Sequence, residues 1–388
     1  MEVEFNALNL HAGITENDIK DFMIKVDKKA QSREIWLFFD EINTCNHIGL
    51  LADLIAHRML DGKQIHPNIR LFAACNPYRI RNKSVSNVGL EAKNIRFEER
   101  SRLVYEVKPL PDQILDYVWD YGRLQSKDEW IYIQIMVQET KLGNPMLAEL
   151  LYFSQEFIRH VEEPYSVSLR DVKRAIKLVN FFHKTLIDRQ KENKKYPGNS
   201  LDISIRSYIL ALGLCYQSRL YDRESRKKYR ETMCKILLRN KKYENIRESR
   251  FNEIIREEQM DYMKRMTCPP NTAFNEALLE NVLAIIVCIL CKVPLFIVGS
   301  PGSSKSLAIR LVHQNLRGSD SNDTYFRTLP QVFFIPHQGS SSSTSDGIEK
   351  VFQKAKAYQE TSSKEFPVVS VVLLDEGEYI LYLLENFF

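Results

Sequence analysis

The stretch of residues 295–306, which reads LFIVGSPGSSKS, constrains the fold more than any other part of the sequence. The apolar run at 295–298 predicts a buried strand, and the pattern that follows Lys305 predicts a helix. A strand, a loop rich in glycine and serine, and a helix that opens on Lys-Ser are the context of a phosphate-binding loop. In such a loop the backbone N–H groups and the helix N-terminus bind the anion, Lys305 adds a positive charge, and Ser306 is placed to ligate Mg²⁺. The predicted phosphate-binding residues are Gly299, Ser300, Pro301, Gly302, Ser303, Ser304, Lys305 and Ser306.

The loop departs from the usual pattern G-x-x-x-x-G-K-[ST] at one position, because Ser304 stands where the second glycine is expected. Glycine eases close backbone approach and left-handed backbone angles at such a position. Serine is small, so we expect the loop to tolerate it, and the affinity for phosphate stays open. An ordinary Gly/Ser loop ahead of a helix is the alternative interpretation.

The bulk properties are those of an intracellular globular protein. The 388 residues suggest two or three domains, and 44% hydrophobic with 27% charged residues allow a full core. The net charge of +4 is too small to indicate nucleic-acid binding by itself. Seven cysteines, an odd number without framework spacing, favour a reducing compartment, so we predict a cytoplasmic protein.

No stretch of the sequence predicts export or a membrane span. The N-terminus MEVEF is acidic and lacks an apolar core. The most apolar run, residues 282–291, is about half as long as the roughly 20 residues that a membrane span needs. Cys288 and Cys291 form a CxxC pair inside this run, and without a second pair they predict a buried helix face rather than a metal site.

Two predicted strands end in paired acids. The run IWLFF is followed by Asp40 and Glu41, and the run VVLL is followed by Asp375 and Glu376. A strand that is apolar on both faces suits the centre of a parallel sheet, and open α/β sheets bind ligands at the carboxyl ends of such strands. In ATPases with a phosphate loop the Asp holds Mg²⁺ and the Glu polarises the attacking water. Solvated acids at a strand end are the alternative.

Other polar residues lie where the phosphates of a nucleotide could be sensed. Asn76 follows another apolar run. A polar residue at the end of such a strand occupies the sensor position of AAA+ ATPases, where its amide holds the attacking water or touches the γ-phosphate. Arg100 and Arg102 precede a short strand and are candidates for a finger that reaches a neighbour's nucleotide, with surface ion pairing as the alternative. Arg170 lies near a helix N-terminus, where a cation is unfavourable, so it predicts either a second phosphate sensor or a pair with an acid such as Asp171.

Two segments of the chain share an order of motifs. Each has a strand, a His-x-Gly triplet that begins at His11 or His337, a threonine, a helix, and a strand that ends in Asp-Glu. The second copy is longer because it carries a serine tract. The sequence therefore predicts parts of two homologous modules. By this correspondence, the phosphate loop of the first module would lie before Met1.

The apolar spacing predicts helices at 18–29 with Thr15 as the cap, and at 42–59, 113–125, 129–140, 145–161 and 168–184. Residues 189–200 are charged and contain Pro197-Gly198, which predicts an exposed loop. Residues 221–264 interleave acids and bases, which favours a solvated helical connector over a nucleic-acid surface.

A resemblance to a known family rests on FFDEINTC at 38–45, IRLFAACNPYR at 69–79, SLRDV at 168–172 and VVLLDE at 371–376. These motifs resemble the tandem AAA+ core of the mysterin family, whose members are giant dynein-like AAA+ proteins and E3 ubiquitin ligases. The resemblance spans residues 5–376 and implies an α/β fold of P-loop AAA+ parallel-sheet modules, one lacking its start and one lacking its end, joined by an α-helical lid and connector. The implied domains are an α/β subdomain without its phosphate loop (1–111), a helical lid (112–188), a charged helical connector (189–268) and the N-terminal half of a second module (269–388).

The resemblance also implies that ATP is bound and hydrolysed with Mg²⁺ to control conformation or assembly within a ubiquitin ligase. It assigns Mg²⁺ binding to Ser306, Asp375 and Asp40. The implied catalytic residues are Glu376 in the second module and Glu41, Asn76, Arg100, Arg102 and Arg170 in the first. The implied partners are neighbouring AAA+ modules of the same parent chain, and the ubiquitin machinery only through that parent. The family continues beyond Glu376, so we expect a truncated piece that binds ATP at most when it is alone.

Two other functions stay open at this point. The chain is a non-catalytic AAA+ scaffold piece if Ser304 and the incomplete modules have abolished turnover. It is a nucleic-acid motor if the basic patches near 227–230 and 241–242 bind DNA or RNA, and such binding would depend steeply on salt.

Overall fold

The computed structural model describes residues 3–11, 13–77, 107–122, 124–192, 202–239, 243, 246–340 and 343–375. The chain divides into two compact units. The first contains residues 1–122, 336–352 and 374–388, and the second contains residues 123–335 and 353–373. The four predicted domains and their boundaries stay a prediction.

The first unit holds a three-stranded parallel sheet with the strand order β1–β2–β5. Ile35, Leu37 and Phe39 of the central strand are fully buried, and they share one core with Ile19 and Met23 of the first helix. The predicted combination of helices with a parallel sheet is therefore confirmed. The elements are β1 (Val3–Asn9), α1 (Glu16–Ala30), β2 (Glu34–Asp40), α2 (Ile48–Ala52), β3 (Met59–Leu60), β4 (Lys63–Gln64), β5 (Ile69–Ala73) and α3 (Asp112–Leu115).

Helix α1 is capped by Thr15, as the sequence predicts, and the structure shows that the cap is reciprocal. The Thr15 hydroxyl accepts a hydrogen bond from the Asp18 N–H at 3.2 Å, and the Asp18 carboxylate accepts one from the Thr15 N–H at 2.9 Å. These bonds satisfy two N–H groups that a helix start leaves without partners. The bonds from Thr15 also lower the pKa of Asp18, because they favour its charged form.

The single helix predicted at 42–59 is wrong. The structure has a 3₁₀ turn at Ile42–Thr44, then α2, then a π-helical turn at Asp53–His57. The Asn43 amide donates to the Asn76 carbonyl at 2.7 Å, and the Thr44 hydroxyl donates to the Leu10 carbonyl at 3.0 Å. Asn and Thr side chains that bond to backbone elsewhere compete with a regular helix, which explains the interruption.

The second unit is mainly helical and has one large core. The predicted helix at 145–161 is confirmed to the residue, whereas the one predicted at 113–125 ends at Leu115. The helices are α4 (Ser126–Gln138), α5 (Pro145–Val161), α6 (Leu169–Glu192), α7 (Ile203–Cys215), α8 (Arg223–Leu237), α9 (Glu248–Arg265), α10 (Glu276–Cys291), α11 (Lys305–Asn315) and α12 (Thr324–Arg327).

The exposed loop predicted to begin at Arg189 is wrong at its start, because α6 continues to Glu192 and Arg189 is fully buried. Its guanidinium forms ion pairs with Glu258 and, at 2.8 Å, with Asp261 of α9. It also lies 5.0 Å from the ring centroid of Tyr262. A buried charge is tolerated only when it is paired, and α9 supplies that pairing.

Helices α8 and α9 are less solvated than their charged sequence predicts. Tyr229, Met233, Phe251 and Ile254 are fully buried in the core of the second unit. Many of the charges pair across helices, as in the contact of 2.6 Å between Arg226 and Glu280.

Helix α10 is the most apolar helix of the second unit. Cys288 and Cys291 are buried on it, as predicted, and burial raises the pKa of Cys288 to about 11 and that of Cys291 to about 12. Both thiols therefore stay protonated near neutral pH. No helix within the described ranges combines the length and the apolar character that crossing a bilayer requires.

The buried strand predicted at 295–298 is wrong. These residues have no regular secondary structure, and Leu295, Phe296 and Val298 are 39%, 67% and 63% exposed, although Ile297 packs against the core. A strand is held by hydrogen bonds to a neighbouring strand, and no described strand pairs with this segment. The apolar pattern alone could not supply that neighbour.

The remaining elements are β6 (Gln331–Gln338), α13 (Ser345–Glu360) and β7 (Val368–Asp375), and β6 pairs with β7. The Gly339 N–H donates to the Asp375 carbonyl at 2.9 Å, just as the Leu10 N–H donates to the Asp40 carbonyl at 3.0 Å. Thr344 bonds to the first turn of α13 as Thr15 does to α1. The repeat thus has a structural counterpart. Its histidine match does not, because His337 lies inside β6 whereas His11 follows β1.

Candidate nucleotide site

The loop at 299–304 leads directly into α11, which begins at Lys305. Gly302 has a φ of 84°, a left-handed conformation that glycine adopts without strain. A side chain at position 299 would place its Cβ only 2.7 Å from the Ser303 hydroxyl, so that hydroxyl would have to move. The Ser303 N–H donates to the Ser300 carbonyl at 3.2 Å and closes the turn.

The Lys305 ammonium folds back over this loop. Its Nζ donates to the Ser300 carbonyl at 3.1 Å and to the Ser303 hydroxyl at 3.2 Å, and it also contacts the Gly299 carbonyl. An ammonium group has three donors and a full positive charge, so a phosphate placed against the loop can exchange for these carbonyls. Ser306 is exposed in the first turn of α11, where its hydroxyl is open to a ligand.

Ser304 adopts a φ of 61°, in the left-handed region. For a residue with a Cβ this conformation costs roughly 1–2 kcal/mol. A left-handed residue followed by a helical one turns successive N–H groups toward one concave space, which is a geometry that binds anions. The serine that departs from the usual pattern therefore keeps the backbone shape of the missing glycine, at a cost in stability.

We expect Ser304→Gly to raise the free energy of unfolding by about 0.5–1 kcal/mol, because it removes this strain. Urea titration followed by circular dichroism measures the change. Ser249→Gly, within α9 and at an ordinary helical φ, is the control and should lower stability by a similar amount. Equal destabilisation by both substitutions would contradict the strain at Ser304.

In the first unit, the predicted acids and sensor lie at one edge of the parallel sheet. Asp40 ends β2 and Asn76 follows β5, and these strands are paired in register. Glu41 has a left-handed φ of 54°, and its N–H donates to the Asp40 carboxylate at 3.1 Å. The structure thus brings Asp40, Glu41 and Asn76 to the same edge.

Sequence reasoning missed Asn43. Its side chain is 1% exposed and donates to the Asn76 carbonyl at 2.7 Å, which fixes the backbone at the end of β5. Its Oδ1 has no hydrogen-bond partner among the described residues. The only signal in the sequence was a polar residue that directly follows the apolar Ile42 in the turn after Asp40-Glu41.

Of the other predicted residues, Asp375 ends β7 with its side chain exposed. Arg170 is exposed in the first turn of α6, and its side chain forms no ion pair or hydrogen bond within the described part of the chain. The alternative pair with Asp171 is not formed, because Asp171 accepts from the Ser168 N–H at 2.8 Å and pairs with Arg174 at 3.1 Å. Glu376, Arg100 and Arg102 lie outside the described residues.

Comparison with known proteins places these features in a family. A family model described as the RNF213 AAA domain matches residues 271–378, a range that includes the whole loop and Asp375. E3 ubiquitin-protein ligase RNF213 of Homo sapiens is 33% identical over 383 residues, which cover 90% of this chain and 7% of the relative. The protein of the same name from Mus musculus is 32% identical over 405 residues, with 95% and 8% covered.

E3 ubiquitin-protein ligase rnf213-beta of Danio rerio is 29% identical over 399 residues, with 95% of this chain and 8% of the relative covered. The chain thus spans less than a tenth of the length of the curated relatives that it matches. The match runs through nearly the whole chain and includes the AAA region that carries the loop at 299–304. The chain therefore belongs to the RNF213 (mysterin) family.

Proposed function

We propose that this chain is an AAA+ ATPase segment that binds Mg²⁺ and ATP, and that nucleotide binding or hydrolysis controls the conformation or assembly of a mysterin-type ubiquitin ligase. The observation that carries the proposal is the turn at 299–304 with Lys305 folded over it at the start of α11. A loop of this shape at a helix N-terminus offers backbone donors and a positive charge to a phosphate.

The residues present fit Mg²⁺ chemically. Ser306 and Asp375 are exposed and offer a hydroxyl and a carboxylate oxygen, and Mg²⁺ prefers oxygen ligands supplemented by substrate phosphates. In the proposed site Glu376 polarises the attacking water. The metal, when bound, neutralises charge on the phosphates.

The edge that carries Asp40, Glu41 and Asn76 has the same residue types, and we propose that it belongs to a preceding module of the tandem core. In the tandem core, we propose that three arginines act on the phosphates of a nucleotide: Arg100, Arg102 and Arg170. The ubiquitin machinery is reached only through the parent chain. The proposal keeps the four domains expected from the sequence, with boundaries after residues 111, 188 and 268.

Titration of the chain with Mg²⁺ and ATP tests the proposal. We expect saturable binding and a nucleotide-dependent rise in the unfolding temperature, since ligand at about 100 times its Kd stabilises a protein by about 2.7 kcal/mol. EDTA should weaken the binding, because the phosphates then lose the Mg²⁺ that neutralises their charge. No binding at millimolar ATP would exclude the proposed function.

A scaffold without turnover is the second candidate, and the strained Ser304 favours it. Release of inorganic phosphate from ATP distinguishes the two. Binding without release supports the scaffold for the chain alone, and steady release excludes it.

A further inference from the structure

Helix α10 contacts the phosphate loop through two asparagines that no sequence motif singled out. The Asn281 Nδ2 donates to the Ser303 carbonyl at 3.0 Å. Asn275, which caps α10 by accepting from the Leu278 N–H at 2.8 Å, also donates to the Ser304 hydroxyl at 3.4 Å. The loop therefore accepts hydrogen bonds from these two asparagines as well as from Lys305.

The bond from Asn281 has a geometric consequence for the next N–H group. A trans peptide is planar, so the Ser303 carbonyl and the Ser304 N–H point in opposite directions. By holding the carbonyl toward α10, Asn281 directs the Ser304 N–H away from that helix. The left-handed Ser304 and the helical Lys305 then turn successive N–H groups toward one space, where an anion can accept from them.

Helix α10 is a rigid support for this contact. Leu278, Val282 and Ile286 on its buried face are fully enclosed in the core of the second unit. Asn281 is half-buried at the edge of that face, so its side chain is restricted without being sealed off. A donor on a fixed helix restrains the loop better than one on another loop, because its backbone does not adjust when the phosphate binds.

We propose that Asn281 is a positioning residue of the nucleotide site, which orients the Ser303–Ser304 peptide so that its N–H faces the phosphates. This inference rests on the proposed function, because it assumes that the loop binds a nucleotide. Asn281 touches no phosphate itself; it acts through the peptide that does.

The test compares Asn281→Ala and Asn281→Leu with the unaltered full chain. Asn322→Ala is the matched control, because the exposed Asn322 also donates its side-chain amide, to the Thr267 hydroxyl at 3.2 Å, but lies outside the loop. Displacement of a fluorescent ATP analogue gives the Kd for Mg²⁺ with ATP and, separately, for tripolyphosphate. Thermal unfolding without ligand reports the fold.

We expect both Asn281 variants to weaken the binding of ATP and of tripolyphosphate by the same factor. That factor should be about five- to tenfold, which corresponds to the loss of one hydrogen bond. An equal loss of affinity for the two ligands indicates that the variants act on the phosphate-binding loop, because tripolyphosphate has no base or sugar whose contacts could be lost. The unfolding temperature without ligand should match that of Asn322→Ala.

The outcomes separate the inference from the proposed function. If the unaltered chain binds neither ligand, the proposed function fails and the positioning role fails with it. If the unaltered chain binds both and the Asn281 variants bind equally well, only the positioning role is overturned. If affinity and the ligand-free unfolding temperature fall together relative to Asn322→Ala, the role is structural and the inference is overturned.

Discussion

Replacing Lys305 with alanine should weaken the binding of Mg²⁺ and ATP by about ten- to a hundredfold. Hydrogen bonds made by a charged group contribute roughly 1.5–3 kcal/mol, and each 1.4 kcal/mol is a factor of ten in Kd. The ammonium already lies over the loop, with its donors on the Ser300 carbonyl and the Ser303 hydroxyl. A bound phosphate would take over these donors without a large movement of the side chain. Isothermal titration of both proteins measures the loss.

Lys356→Ala is the matched control, because Lys356 is exposed on α13 and lies outside the loop. It should bind the nucleotide like the unaltered chain. Lys305→Arg should not restore full affinity, since the planar guanidinium is larger and does not replace a compact ammonium in a tight turn. Unchanged affinity in Lys305→Ala would show that the loop is an ordinary Gly/Ser turn ahead of a helix.

The second large effect concerns stability. Arg189→Met should lower the free energy of unfolding of the helical unit by about 3–5 kcal/mol, because it removes the close guanidinium partner of the fully buried Glu258, which keeps a longer pair of 3.8 Å with Arg206. Asp261 retains Arg265 at 2.9 Å and should contribute little to the loss. Urea unfolding followed by helical circular dichroism measures the change.

The double variant Arg189→Met with Glu258→Met should recover much of that stability, because well-packed apolar side chains can replace a buried ion pair at little cost. Arg223→Met is the control, since its pair with Glu276 at 3.4 Å is exposed on both sides and should contribute less than about 1 kcal/mol. A loss no larger than that of the control would refute a stabilising role for the buried pair.

Local signals predicted many of the elements. The helix at 145–161 was found to the residue, because Pro145 suits the first helical position and the apolar spacing continues to the end. The Thr15 cap was found because a threonine just before a helical apolar pattern is a local signal. Each of these features depends on residues close in sequence, so tertiary contacts were not needed to find them.

Features that depend on distant partners were missed. The apolar segment at 295–298 has the composition of a strand but no described strand beside it. Arg189 was assigned to a loop, since nothing near it in sequence shows that Glu258 and Asp261 would neutralise it. Asn43 was assigned no role within its motif and Asn281 lies in none, and their roles became visible only through the carbonyls that they bind.

The order of the chemical groups can be read from the residues alone: a Gly/Ser loop that ends in Lys305 at a helix start, and acids at the ends of apolar strands. The residues that form each of these features are close in sequence, because backbone turns, helix starts and strand ends are local. The folded chain was needed to show that Ser304 has a left-handed backbone, that Asn281 of α10 donates a hydrogen bond to the loop, and that Arg189 is buried. A hydrogen bond or ion pair between residues far apart in sequence has no local pattern, so it appears only when packing brings its two partners together.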